Sequence, residues 1–135
     1  MTFRIINPEE LGEPKGWNNG MLADAGGRVL FVAGQIATDA KGQLVSREFV
    51  AQTAKALEKV VAVVKEAGGG PEHIGRMTFF VADVDAYRSN LEPLGEAYRR
   101  IMGRHFPAMA LVEVKALMDP HALVEIEATA VLPSS

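Results

Sequence analysis

The sequence predicts an α+β fold, a sheet of about six strands with two helices covering one of its faces. Three observations carry this expectation. First, Phe49, Val50, Thr53, Ala56, Leu57, Val60, Val61, Val64 and Ala67 recur at the 3.6-residue period of an amphipathic helix, with Arg47, Glu48, Lys55, Glu58, Lys59, Lys65 and Glu66 mostly off the stripe. Second, Val124, Ile126 and Ala128 alternate with Glu125, Glu127 and Thr129, the two-residue period of a half-buried strand. Third, the segments read β, β-β, α, β, α, β-β, which supplies too few helices to cover both faces of the sheet. With 135 residues, 48% apolar and 23% charged, the chain is expected to form one domain over residues 1–135 with a single core.

Taken in order, residues 2–6 form a short β-prone segment stopped by Asn7-Pro8. The polar, Gly- and Pro-containing stretch that follows is a loop carrying the sole tryptophan, Trp17. Residues 21–25 and 29–36 read as a hairpin about Gly26-Gly27, with Gly34 near the end of the second strand, where a missing side chain lets another group approach closely. The long helix follows Ser46 and stops at Gly68-Gly69-Gly70-Pro71. That glycine run is a helix terminator and not a phosphate cradle, because a cradle leads from strand into helix and ends in Lys-Ser/Thr.

Residues 74–82 form the next strand, and Asp83 or Asp85 caps a second helix reaching about Met102, its first turn broken or kinked by Pro93. Arg99, Arg100 and Arg104 cluster near the end of that helix. They read either as a solvated terminus favoured by the helix dipole or as an anion site. Residues 106–131 then read as two adjacent strands about Asp119-Pro120. The helix-free face of the sheet should be buried by self-association in a closed ring.

Composition excludes several functions. A net charge of −3 and scattered basic residues oppose a nucleic-acid partner. The absence of Cys removes disulfides, thiolate zinc sites and a Cys nucleophile. His73, His105 and His121 lie in three separate segments, so neither a metal site nor a cofactor is expected. There is no apolar run of signal-peptide or membrane-helix type, and a cytoplasmic protein without a membrane partner is the expectation.

Several segments, spread over nearly the whole chain, carry a family resemblance: LFVAGQIATDAKGQLV, the helix over residues 52–68, PAMALVEVKAL and VEIEATAV. The chain resembles the RidA/YjgF family, also labelled endoribonuclease L-PSP, whose small trimeric members include hydrolases that deaminate reactive enamines and imines. The resemblance implies a chorismate-mutase-like (YjgF-type) fold, a homotrimer with a central β-barrel, and small-molecule clefts between neighbouring subunits. It implies that Glu125 orients the attacking water, with Glu127 the alternative, and that the Gly34 N–H binds a ligand oxygen.

The chain departs from the family pattern at the cleft. Met109 stands where deaminating members carry a carboxylate-binding arginine, Leu111 where a Cys is common and Ala33 where a Ser is usual, while Trp17 lies near a common tyrosine. A thioether cannot make the paired charge-assisted hydrogen bonds of a guanidinium. Two readings stand. The chain is a hydrolase acting on enamines or imines that lack a carboxylate, or one recruiting Arg104 or His105 as the clamp; or it is a non-catalytic binding or interaction module. A ribonuclease reading ranks below both.

Overall fold

The computed structural model describes residues 3–134. Thr2, included in the first expected strand, lies outside them. Among the described residues six strands form two sheets. β1 (Phe3–Ile6) pairs antiparallel with β2 (Gly20–Ala23). The main sheet contains β3 (Arg28–Gln35), β4 (Ile74–Val81), β5 (Ala108–Glu113) and β6 (Val124–Leu132), in the order β3-β6-β4-β5. All its neighbours are antiparallel except β4 and β5.

Helices α1 (Phe49–Glu66), α2 (Val84–Arg88) and α3 (Leu91–Met102) complete the fold. No described helix is long and apolar enough to cross a membrane.

The core lies between the helices and one face of the main sheet. The α1 stripe of Ala56, Leu57, Val60, Val61 and Val64 is buried against Ile74, Met77, Val124, Ile126 and Ala130. Helix α1 ends as its glycines require. Gly68 adopts φ +97°, its N–H donates to the Lys65 carbonyl, and the Gly69 N–H donates to that of Val64, closing the last turn.

The second helical segment is interrupted. Asp83 caps the five residues of α2 by accepting the Asp85 N–H, and the chain restarts at Asn90 with Pro93 in the first turn of α3, where a missing N–H costs nothing. Fully buried Gln52 ties α1 to two loops. Its Nε2 donates to the carbonyls of Ser46 and His121, and its Oε1 accepts from the Leu123 N–H.

Two expected pairings are corrected. The segments around Gly26-Gly27 turn as expected, yet β2 pairs with β1 and β3 with β6. The strands of residues 106–131 are not neighbours, because β4 lies between β5 and β6. In both cases a local turn brings the chain round without fixing which strands pair. Burial decides instead, placing the nine-residue β6, apolar at every second position, in the sheet interior.

Among the described residues no helix covers the opposite face of the sheet. That face presents Val29, Phe31, Arg76, Thr78, Phe80, Glu125, Glu127 and Thr129, with Phe31 80% exposed.

Candidate functional site

The sequence-derived site residues fall into two groups on opposite faces of the main sheet. Glu125 sits in β6 between the buried Val124 and Ile126, so strand alternation turns it to the helix-free face, opposite Phe80 of β4. On its other side, β3 carries an extra residue between Val32 and Gln35. The bulge contains Ala33 and Gly34, and the half-buried Glu125 carboxylate packs directly against the Gly34 backbone. A Cβ on Gly34 would overlap the carboxylate Oε2 and lie 2.8 Å from its Cδ. The missing side chain at Gly34 is therefore what lets the carboxylate approach so closely, and its backbone conformation does not itself demand glycine. Glu127 points to the same face but is exposed.

Met109, Leu111 and Trp17 meet on the other face. Met109 and Leu111 pair with Met77 and Phe79 across the β4–β5 ladder and turn toward the helices. They border a cavity of about 490 Å³ walled by Leu57 of α1 and by Leu94 and Tyr98 of α3. Its mouth is formed by the loop of Lys15, Gly16 and Trp17. That loop is held at Asn18, whose side-chain Nδ2 donates to the Phe106 carbonyl at 2.6 Å and whose backbone N–H donates to that of Pro107.

Tyr98 stacks on Phe106 with ring centroids 5.4 Å apart, and its hydroxyl donates to the His105 carbonyl at 2.5 Å. Burial pushes the Tyr98 phenol well above its ordinary range, so it stays a neutral donor.

Neither Arg104 nor His105 borders this cavity. The His105 Nε2 lies 2.6 Å from the Ile74 carbonyl, an acceptor only, so that nitrogen is a donor committed to the backbone. His73 accepts the Gly70 N–H through Nδ1, and His121 lies against Arg47. Among the described residues, no group of three or more His, Asp or Glu side chains converges to hold a metal ion.

Arg99 and Lys15 do border the cavity. The sequence puts Arg99 in a basic patch, open as a solvated helix terminus or as an anion site, and gives Lys15 no role. A glycine inside a helix four residues before an arginine, Gly95 and Arg99, was the available signal.

Comparison with known proteins decides the family. The family model described as endoribonuclease L-PSP matches residues 14–132. A RutC family protein of Synechocystis sp. is 34% identical over 99% of this chain and 100% of its own. The chain belongs to the RidA/YjgF family. Its RidA/YjgF relatives include the 2-iminobutanoate/2-iminopropanoate deaminase of Salmonella typhimurium, 34% identical over 78% of this chain and 80% of that one. Among solved structures, the Rid-family protein YyfB of Yersinia pestis superposes with a TM-score of 0.86 at 33% identity, over 98% of this chain and 100% of that one. Escherichia coli TdcF, solved with bound serine, gives 0.67 at 28% identity over 90% and 92%. The fold is thus the YjgF type expected for a RidA protein.

Proposed function

We propose that this RidA/YjgF protein hydrolyses small enamine or imine metabolites at clefts completed by a second copy of the chain in a homotrimer. One observation carries the reading. Glu125, seated against Gly34, and the cavity of Met109, Leu111 and Trp17 lie on opposite faces of one sheet, so a cleft using both needs two chains. The exposed Phe31, Val29 and Val112 give the helix-free side apolar surface to bury in such an assembly.

In the proposed reaction an enamine takes a proton from solvent at carbon, giving the iminium form of the imine. Water then adds to the imine carbon while Glu125 accepts a water proton, giving a carbinolamine. Return of that proton to nitrogen lets the C–N bond break, releasing ammonia, and a proton goes back to solvent from the hydroxyl when the carbonyl product forms. The Gly34 N–H donates to a substrate oxygen, and Ala33 lines the approach. Met109 provides no clamp for a carboxylate beside the reacting carbon, so the substrate sets apolar surface against Met109 and Leu111. Such chemistry suits a cytoplasmic protein working beside enzymes that release enamines.

The arginine-to-methionine difference favours the second reading, a binding module without catalysis. Ammonia and keto-acid release, coupled to an enzyme that generates the enamine, separates the two. Hydrolysis by wild type that is lost in Glu125→Gln supports the first reading. Equal rates in both exclude it. Met109→Arg is expected to raise turnover of 2-aminoacrylate-type substrates, because a guanidinium would offer two parallel N–H donors to the carboxylate.

A further inference from the structure

The Met109 cavity has a charge pattern that the proposed chemistry leaves unused. Among the described residues two cations, Lys15 and Arg99, border it and no Asp or Glu does, although the chain as a whole carries a net charge of −3. Neither cation is in an ion pair among the described residues, whereas the adjacent Arg100 reaches Glu58 at 3.7 Å.

Gly95 explains how Arg99 is held. A glycine inside a helix is disfavoured relative to alanine, and here it lies one turn before Arg99. A Cβ on Gly95 would lie 3.2 Å from the Arg99 Nη1 and 3.9 Å from its Cζ. The guanidinium therefore lies back across bare helix backbone at the cavity wall. Lys15 stands on the mouth loop that Asn18 pins to the Phe106 carbonyl. Most of the remaining lining is apolar, with Leu94 and Leu111 among it.

We infer that Arg99 and Lys15 form an anion-binding site at the mouth of this cavity, which takes the carboxylate of a small ligand whose apolar body lies against Met109 and Leu111. Because the cations come from α3 and the N-terminal loop and not from β5, the anionic group sits at the helix-side mouth, apart from the Met109 position. The inference deepens the proposed function by naming its substrate class, an apolar-bodied acid, and rests on that reading only for the link to turnover.

The test uses Trp17, the sole tryptophan, as a fluorescence reporter at the mouth. The probes are 4-methylpentanoate and its uncharged counterpart 4-methylpentanamide, titrated into the intact protein at low and high salt. The acid is expected to bind at least about fivefold tighter than the amide at low salt, with the difference shrinking as salt screens the rim. Arg99→Gln and Lys15→Gln should each reduce that preference and the double variant remove it. Arg99→Lys should restore part of it, and Arg100→Gln should leave it unchanged.

Both cations are exposed, so the variants should melt with wild type, which separates lost binding from lost fold. Equal affinity for acid and amide, no response to either probe, or a preference that survives the double substitution overturns the site. Enamine hydrolysis is measured on the same preparations. Charge-dependent binding without any hydrolysis sustains the site and removes the proposed function. Glu125-dependent hydrolysis with charge-blind binding does the reverse.

Discussion

Gly34→Ala tests the contact between the β3 bulge and Glu125 more sharply than removing the glutamate does. The new methyl would lie 2.8 Å from the Glu125 Cδ and 3.0 Å from its Cγ. Carbon–carbon contacts settle at roughly 3.5–4.0 Å, so the carboxylate must move by about 1 Å. Alanine suits the extended backbone, and the displaced group is the end of a half-buried side chain. The stability cost should therefore stay near 1 kcal/mol or below. A displacement of about 1 Å at a reacting group costs on the order of 100-fold in rate, or about 2.7 kcal/mol of transition-state stabilisation.

The assay pairs thermal unfolding with coupled ammonia release for wild type, Gly34→Ala, Glu125→Gln and the double variant. The expected result is a melting point close to wild type with turnover down by about two orders of magnitude. The double variant should be no worse than Glu125→Gln, because both changes act through one carboxylate. Turnover in Gly34→Ala within a factor of three of wild type would refute the proposal that this contact positions Glu125 for the reaction.

Gln52→Leu leaves the carbonyls of Ser46 and His121 and the N–H of Leu123 without their buried partner, and chemical denaturation should show a loss of about 2–4 kcal/mol. The Asp39 carboxylate accepts the Gln43 and Lys41 N–H groups, and these bonds hold its pKa below 3.8. Its contribution to stability is complete above pH 3.8 and is lost as pH falls through the lowered value. The stability gap between wild type and Asp39→Ala, measured by urea unfolding at pH 7, should therefore close in strong acid. Phe31→Asp, which puts a charge on the helix-free face, should convert an assembly of three times the 14.5 kDa chain mass into monomers by sedimentation equilibrium. A wild-type monomer would remove the shared cleft altogether.

Local signals in the sequence located the elements well and their partners poorly. The α1 stripe, the Gly68 terminator and the break before Pro93 depend on neighbours within a turn or two, and each lies where the pattern put it. Pairing depends on residues far apart. The antiparallel β3–β6 ladder joins Arg28 to Leu132, and the parallel β4–β5 ladder joins Arg76 to Ala108 across α2 and α3, which no turn motif announces. The site divides in the same way. Alternation alone turned Glu125 away from the core, and Gly34 was marked as a place of close approach. Arg99 and Lys15 were assigned no part in a cavity, because they come together only through the packing of α3 and the Trp17 loop beside β5.

The division of the site between two faces of one sheet makes each chain, on the proposed reading, a donor of half an active centre to one neighbour and of the other half to another. Catalysis then belongs to the boundary between chains, and specific activity should fall on dilution while every chain stays folded. Two variants inactive by themselves, one altered at Glu125 and the other in the Met109 cavity, should regain activity after dissociation and mixing, because some boundaries then unite two intact halves. Conversely, an inactive subunit present in excess would silence wild-type partners by occupying their boundaries, so one damaged copy of the gene would act dominantly over a sound one.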